Sequence, residues 1–71
     1  MPDSVYTITE VVGSSTESWE QAAANAVTRA GKTLRDLRVA EIVKLDMDVH
    51  EGQVRAYRAR VQISFKLEDP S

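Results

Sequence analysis

Residues 54–67 read Val-Arg-Ala-Tyr-Arg-Ala-Arg-Val-Gln-Ile-Ser-Phe-Lys-Leu. From Tyr57 onward every second side chain is apolar: Tyr57, Ala59, Val61, Ile63, Phe65 and Leu67. Arg58, Arg60, Gln62, Ser64 and Lys66 stand between them. A period of two puts the two sets on opposite faces of a long strand, one of them against a core. Just before it, His50-Glu51-Gly52-Gln53 reads as a hairpin turn whose glycine takes a dihedral that other residues avoid. The turn ties this strand antiparallel to another over residues 39–49. There Val39, Val43, Leu45, Met47 and Val49 are expected on one face, interrupted by Glu41. Ala40, Ile42, Lys44, Asp46, Asp48 and His50 are expected on the other.

Toward the N-terminus the period changes. Trp19, Ala22, Ala23, Ala26, Val27, Ala30, Leu34 and Leu37 recur at steps of three and four, which predicts one apolar stripe on a helix. Ser18-Trp19-Glu20-Gln21 fits a capping box, with Ser18 as N-cap and the Gln21 side chain reaching back. Lys32 and Arg35 suit the negative end of that helix. Gly31 either weakens the helix or marks a close backbone approach. Ahead of the helix, residues 5–12 alternate as a strand, with Tyr6, Ile8 and Val12 on one face and Val5, Thr7, Thr9 and Val11 on the other. Gly13-Ser14-Ser15-Thr16 is expected to be a turn, and residues 1–4 and 69–71 short polar ends. The expected fold is α+β: a β-α-β-β chain whose three-stranded antiparallel sheet packs its apolar face on one helix.

The chain has 71 residues, so residues 1–71 are expected to form a single domain. Its 42% hydrophobic content is that of a globular chain. Eleven acids against nine bases give a net charge of −2, which argues against nucleic acid as a partner. With no cysteine, thiolate metal sites, disulfides and thiol nucleophiles are excluded. No apolar run approaches the ~20 residues of a membrane span, and no basic-then-apolar signal pattern is present. A cytoplasmic location without membrane partners is the expectation. One histidine, and neither a Ser–His–Asp set nor a phosphate-cradling glycine loop, argue against an enzyme. A domain this small rarely draws more than about 3–5 kcal/mol from one core, so self-association is expected to supply the rest.

Four pieces carry a family resemblance. They are Glu10-Val11-Val12-Gly13-Ser14-Ser15, Ser18-Trp19-Glu20-Gln21-Ala22, Arg29-Ala30-Gly31-Lys32-Thr33-Leu34 and Phe65-Lys66-Leu67-Glu68-Asp69. In this order and spacing the chain resembles the dodecins over about residues 5–69. The resemblance implies a sheet wrapped around the helix and a hollow homododecamer of cubic symmetry. Most dodecins hold flavins (FMN or riboflavin) in pairs and are regarded as storage or buffering proteins. A subset with the same Ser-Trp-Glu-Gln-Ala-Ala-Ala helix start and an Arg-Val-Ala strand start, here Arg38-Val39-Ala40, is described as calcium-binding.

The departures favour calcium. Where flavin dodecins carry a tryptophan that stacks on the ring, this chain has Val39. Where they carry a glutamine that hydrogen-bonds the ring edge, it has Arg58, which offers donors only. Losing the aromatic face removes roughly 0.5–1.5 kcal/mol beyond area burial. Weak or absent flavin binding is therefore expected, with flavin storage and a ligand-free structural shell as the alternatives. Asp46 and Asp48, at i and i+2, place two carboxylates on one strand face and are candidate metal ligands. The plainer reading is a solvated acidic face, and backbone oxygens of the strands or of the 14–16 turn are equal candidates. For Arg58 and Arg60 the plainer reading is cross-strand pairing with Asp46; an anion-binding surface is the other. Asp36 and Glu41 are further candidate partners for Arg38 or Arg58. His50 reads as a solvated turn residue, and Trp19 as packing in the core or an interface.

Overall fold

A computed structural model describes residues 4–67. Strand β1 (Tyr6–Ser15), helix α1 (Trp19–Ala30), strand β2 (Leu37–His50) and strand β3 (Gln53–Lys66) follow in that order. The strands make one antiparallel sheet in the order β1-β3-β2, which puts the strand of cleanest alternation in the middle. Glu68 and Asp69 of the closing motif, and residues 1–3 and 70–71 of the polar ends, lie outside the described residues.

The helix crosses β1 and β3 and barely reaches β2. Its Ala22, Ala26 and Ala30 pack on Ala59, Val61 and Ile63 of β3. Among the described residues these six form the buried hydrophobic core, and Ile63 and Val61 are its largest fully enclosed side chains. Alanines on the helix allow the close approach, and Gly13 completes it. A Cβ at Gly13 would collide with the Ala22 carbonyl oxygen and lie 2.9 Å from Ala26 Cβ. The close backbone approach is therefore at Gly13 and not at Gly31, whose nearest neighbours would stand at 3.4 Å or more. Gly13-Ser14-Ser15, expected as a turn, continues β1 under the helix, paired with Tyr57, Arg58 and Ala59. The turn itself is displaced to residues 16–18, where the Glu17 amide donates to Ser15 Oγ at 2.9 Å.

Ser18 caps the helix, accepting from the Gln21 amide at 3.0 Å. The return half of the capping box is not made. Gln21 Nε2 donates to Asn25 Oδ1 at 2.8 Å, and Asn25 Nδ2 donates to the Ser14 carbonyl at 3.0 Å, tying the helix to β1. The helix ends at Ala30, short of the predicted stripe. The Gly31 amide makes an α-type bond to Val27, Lys32 and Thr33 close tighter turns onto Arg29 and Ala30, and the Leu34 amide also returns to the Ala30 carbonyl, at 2.8 Å. Asp36 then takes φ 56°, reversing the chain into β2. Leu34 and Leu37 still pack against the core, from the turn and from β2. Lys32 and Arg35 fall past the helix, leaving Arg29 as the basic residue of its last turn.

The hairpin turn is as expected, and Glu51 joins Gly52 at positive φ (51° and 77°), the requirement of a tight type I′ connection. The faces of β2 differ from expectation. Register shifts between Asp48 and Val49 and between Ile42 and Lys44 each admit one extra residue, Arg55 on β3 and Val43 on β2. Beyond Val43 the parity reverses. Ala40 and Ile42 therefore join Leu45 and Met47 on the helix side, opposite Ile63, Val61, Ala59 and Tyr57. Val39 and Glu41 join Lys44, Asp46 and Asp48 on the outer side, so Glu41 interrupts no apolar face. On β1, Thr7, Thr9, Val11 and Gly13 turn toward the helix, while Tyr6, Ile8 and Val12 stay exposed outside.

Because the helix leaves β2 uncovered, Ile42, Val43, Leu45, Met47, Val49 and Val54 are each 45–58% exposed. The hairpin projects beyond the helix and gives the chain a 55 Å long axis against 20 and 15 Å. Among the described residues, no helix is long and apolar enough to cross a membrane.

Candidate functional site

The outer face of the sheet carries the side chains singled out for chemistry. In antiparallel pairing, residues directly opposite share a face. Asp46 faces Arg58, Lys44 faces Arg60, and Glu41 faces Gln62. Arg58 donates through Nε to Asp46 Oδ1 at 2.7 Å and through its terminal nitrogen to Oδ2 at 2.9 Å. This is a two-pronged pair, the strong geometry for guanidinium and carboxylate. The hydrogen bonds from Arg58 hold the Asp46 carboxyl below its usual range, outweighing the opposing effect of desolvation, and the charges of Arg58, Arg60 and Lys44 add to them. The same hydrogen bonds raise Arg58. Arg58 pairs with Asp46, not with Asp36 or Glu41.

Asp48 lies on the same outer face, with Arg55 Nε 3.5 Å from its Oδ2. The i, i+2 spacing thus brings the two carboxylates to one face, each with an arginine of β3 beside it. Among the described residues, no three acids or histidines come together as a metal cluster. His50, expected in the turn, is the exposed last residue of β2, paired with Gln53 beside the turn and 3.4 Å from Glu51.

Trp19 holds this site from behind. Its indole Nε1–H donates to the Asp46 carbonyl at 2.9 Å. Its ring meets Tyr57 edge-on at 4.9 Å between centroids. The first turn of the helix therefore fastens the backbone of Asp46 and packs against the side chain of Tyr57, the neighbour of Arg58. Trp19 packs where sequence reading put it; its bond to Asp46 was not foreseeable, because it depends on the register of the hairpin.

Val39 stands at the other end of the outer face, opposite Ser64 and 62% exposed. With Ile8, Glu41, Gln62 and Ser64 it lines a shallow depression of about 110 Å³. Val39 and Arg58 do not meet within one chain. Their cross-strand positions are six residues apart along β3, or roughly 20 Å at about 3.3 Å per residue. A pocket using both positions has to combine two copies of the chain. Glu10, which sequence reading passed over, lies 3.3 Å from Arg60 and accepts from Gln62 Nε2 at 3.3 Å. Its place in the alternation with Ile8 and Val12 was the available signal. A larger groove of about 460 Å³ runs between β1 and α1, lined by Val11, Ala26, Arg29 and Leu34 among others.

Comparison with known proteins agrees on one kinship. The family model described as Dodecin matches residues 5–68. A protein named calcium dodecin, from Mycobacterium tuberculosis, is 44% identical over 64 residues, covering 90% of each chain. Among solved structures, the dodecin from Streptomyces coelicolor superposes with a TM-score of 0.89 at 39% identity, over 97% of this chain and 99% of that one. The calcium-chelating immunodominant antigen calcium dodecin of M. tuberculosis, a structure with a novel calcium-binding site, gives a TM-score of 0.81 at 40% identity, over 94% of this chain and 96% of that one.

Proposed function

This chain belongs to the dodecin family, and from that premise we propose that it is a non-enzymatic, cytoplasmic storage protein that binds calcium and holds flavin weakly or not at all. The observation that carries this reading is the commitment of Arg58 to Asp46. A flavin edge needs both donors and acceptors, whereas a guanidinium has no acceptor and two of its five N–H groups are already engaged by the Asp46 carboxylate. The aliphatic Val39 supplies no ring to stack on. The relative named calcium dodecin adds support.

Calcium takes six to eight oxygens at about 2.3–2.6 Å. The carboxylates of Asp46 and Asp48 suit it in kind and fall short in number. The remaining oxygens then come from backbone carbonyls and from further copies of the chain. That fits the working form proposed here, a hollow homododecamer. The exposed apolar strip from Ile42 to Val54 and a core whose largest fully enclosed side chains are Val61 and Ile63 favour it, because the described residues of a lone copy leave more large apolar side chains in water than they bury. One ion bound in such an assembly would bridge copies and stabilise it by mass action.

Calorimetric titration of calcium into chelator-treated protein tests the reading. Saturable heat near one ion per chain, or per symmetry axis, is expected. A flat isotherm from a well-assembled sample would leave a structural shell without an ion. Riboflavin or FMN titration should leave flavin fluorescence unquenched at micromolar protein, and micromolar quenching would restore flavin as the ligand.

A further inference from the structure

Resting on the assembly reading just given, we infer that the hairpin end of one copy seats in the β1–α1 groove of a second copy, with Glu51 of the hairpin facing Arg29 of the groove. Each half of this contact is bare in one chain. On the helix side of the hairpin, past the first turn of α1, Met47, Val49 and Val54 are 45–58% exposed. The groove, of about 460 Å³, is lined by Val11, Ala26, Ala30 and Leu34, with Arg29 at its side. One chain cannot fill its own groove. Val11 pairs with Val61, and β3 runs back from Val61 to Gln53 at the tip, roughly 26 Å at about 3.3 Å per residue. The charges match as well. Arg29 is exposed and, among the described residues, has no acidic partner. The Glu51 side chain is 84% exposed at the turn, with His50 beside it at 3.4 Å. An apolar projection with an acid at its end thus fits an apolar groove with a base at its side, which favours a second copy of this chain as the occupant. Because projection and groove are different patches, the contact is head-to-tail, and head-to-tail contacts close into rings when the rotation allows. Rings of three suit a shell of twelve chains with cubic symmetry.

The test is charge reversal across the contact, read by native mass spectrometry over a dilution series at low salt. Arg29→Glu and Glu51→Arg should each raise the chain concentration at which the assembly comes apart by about fivefold or more, because like charges then face each other. The Arg29→Glu/Glu51→Arg pair should bring it back to within about twofold of wild type. An acid at the end of α1 also opposes the helix dipole, but a change at Glu51 cannot repair that, so the restoration isolates the contact. Carbodiimide coupling gives a second readout. Arg29→Lys keeps the charge and supplies an amine. In a mixture of isotope-labelled and unlabelled chains of that variant, a peptide should form that joins positions 29 and 51 of different copies. If the wild type assembles and the single variants assemble equally well, or the pair fails to restore them, this contact is overturned and the assembly reading stands. A wild type found only as folded single chains overturns both. Should Arg29→Glu fail to fold, absence of the 29–51 link in assembled Arg29→Lys is the overturning result.

Discussion

Replacing Gly13 with alanine adds a single methyl group, and the structure fixes where it goes. That Cβ would run into the Ala22 carbonyl oxygen and stand 2.9 Å from Ala26 Cβ and 3.0 Å from Ala26 N. Two of these three neighbours are backbone atoms, so no flexible side chain can give way. Ala22 is fully enclosed and Ala26 6% exposed, so the helix has no slack on that side. Relief requires β1 and α1 to separate, which opens the contact of Ala22 and Ala26 with Ala59 and Val61. Overpacking of a tight core typically costs about 1–3 kcal/mol. Backbone collision places this case at the upper end, close to all that so small an interior supplies. At about 4–8 °C per kcal/mol for a chain of this size, the melting temperature should fall by roughly 12–24 °C. The assay is thermal unfolding followed by circular dichroism at one fixed chain concentration, since assembly makes the midpoint concentration-dependent. A Gly13→Ala protein melting within about 3 °C of wild type would refute the close-packing argument.

Gly31→Ala is the contrasting case: φ is −65° and the nearest neighbours stand at ordinary contact distance, so stability should rise by about 0.4–1 kcal/mol in the same melt. Because Arg58 depresses the Asp46 pKa below 3.8, the stabilisation from this carboxylate is complete above that value and is lost as pH falls through the lowered one. Stability of wild type and Asp46→Asn should therefore differ near neutral pH and converge as the pH is taken well below 3.8, and a difference that does not shrink on acidification would contradict the assignment. Val39→Trp combined with Arg58→Gln should acquire riboflavin quenching that neither the wild type nor Arg58→Gln alone displays, with the stacked ring adding about 0.5–1.5 kcal/mol beyond burial. Quenching by the wild type equal to that of the double variant would remove the significance of both positions.

The parts of the fold that sequence made legible are those where one period runs unbroken. β3 alternates from Tyr57 to Lys66 without a bulge, and its buried residues Ala59, Val61 and Ile63 are the ones the pattern names. β2 was misread past Val43 because its register shift is marked by no glycine or proline. Only the pairing with β3 reveals that Val39 and Glu41 lie outside. The helix was overextended for another reason. Leu34 and Leu37 continue the spacing of three and four and also reach the core, but from a turn and a strand. The site was half legible. The spacing of Asp46 and Asp48 gave their common face, and cross-strand pairing with Arg58 was the plainer expectation. The forked geometry and the Trp19 bond to the Asp46 carbonyl depend on where the Asp48–Val49 register shift sets the strands, which no local pattern encodes.

Among the described residues, one chain fully encloses only Val61 and Ile63 as large side chains, while a strip of the hairpin is left bare. Everything proposed for the outer face depends on copies coming together over it. Native mass spectrometry at micromolar chain concentration tests this most directly. The account predicts a closed species of twelve chains of 7.9 kDa, about 95 kDa in all. A folded single chain of 7.9 kDa that melts cooperatively at that concentration would contradict it.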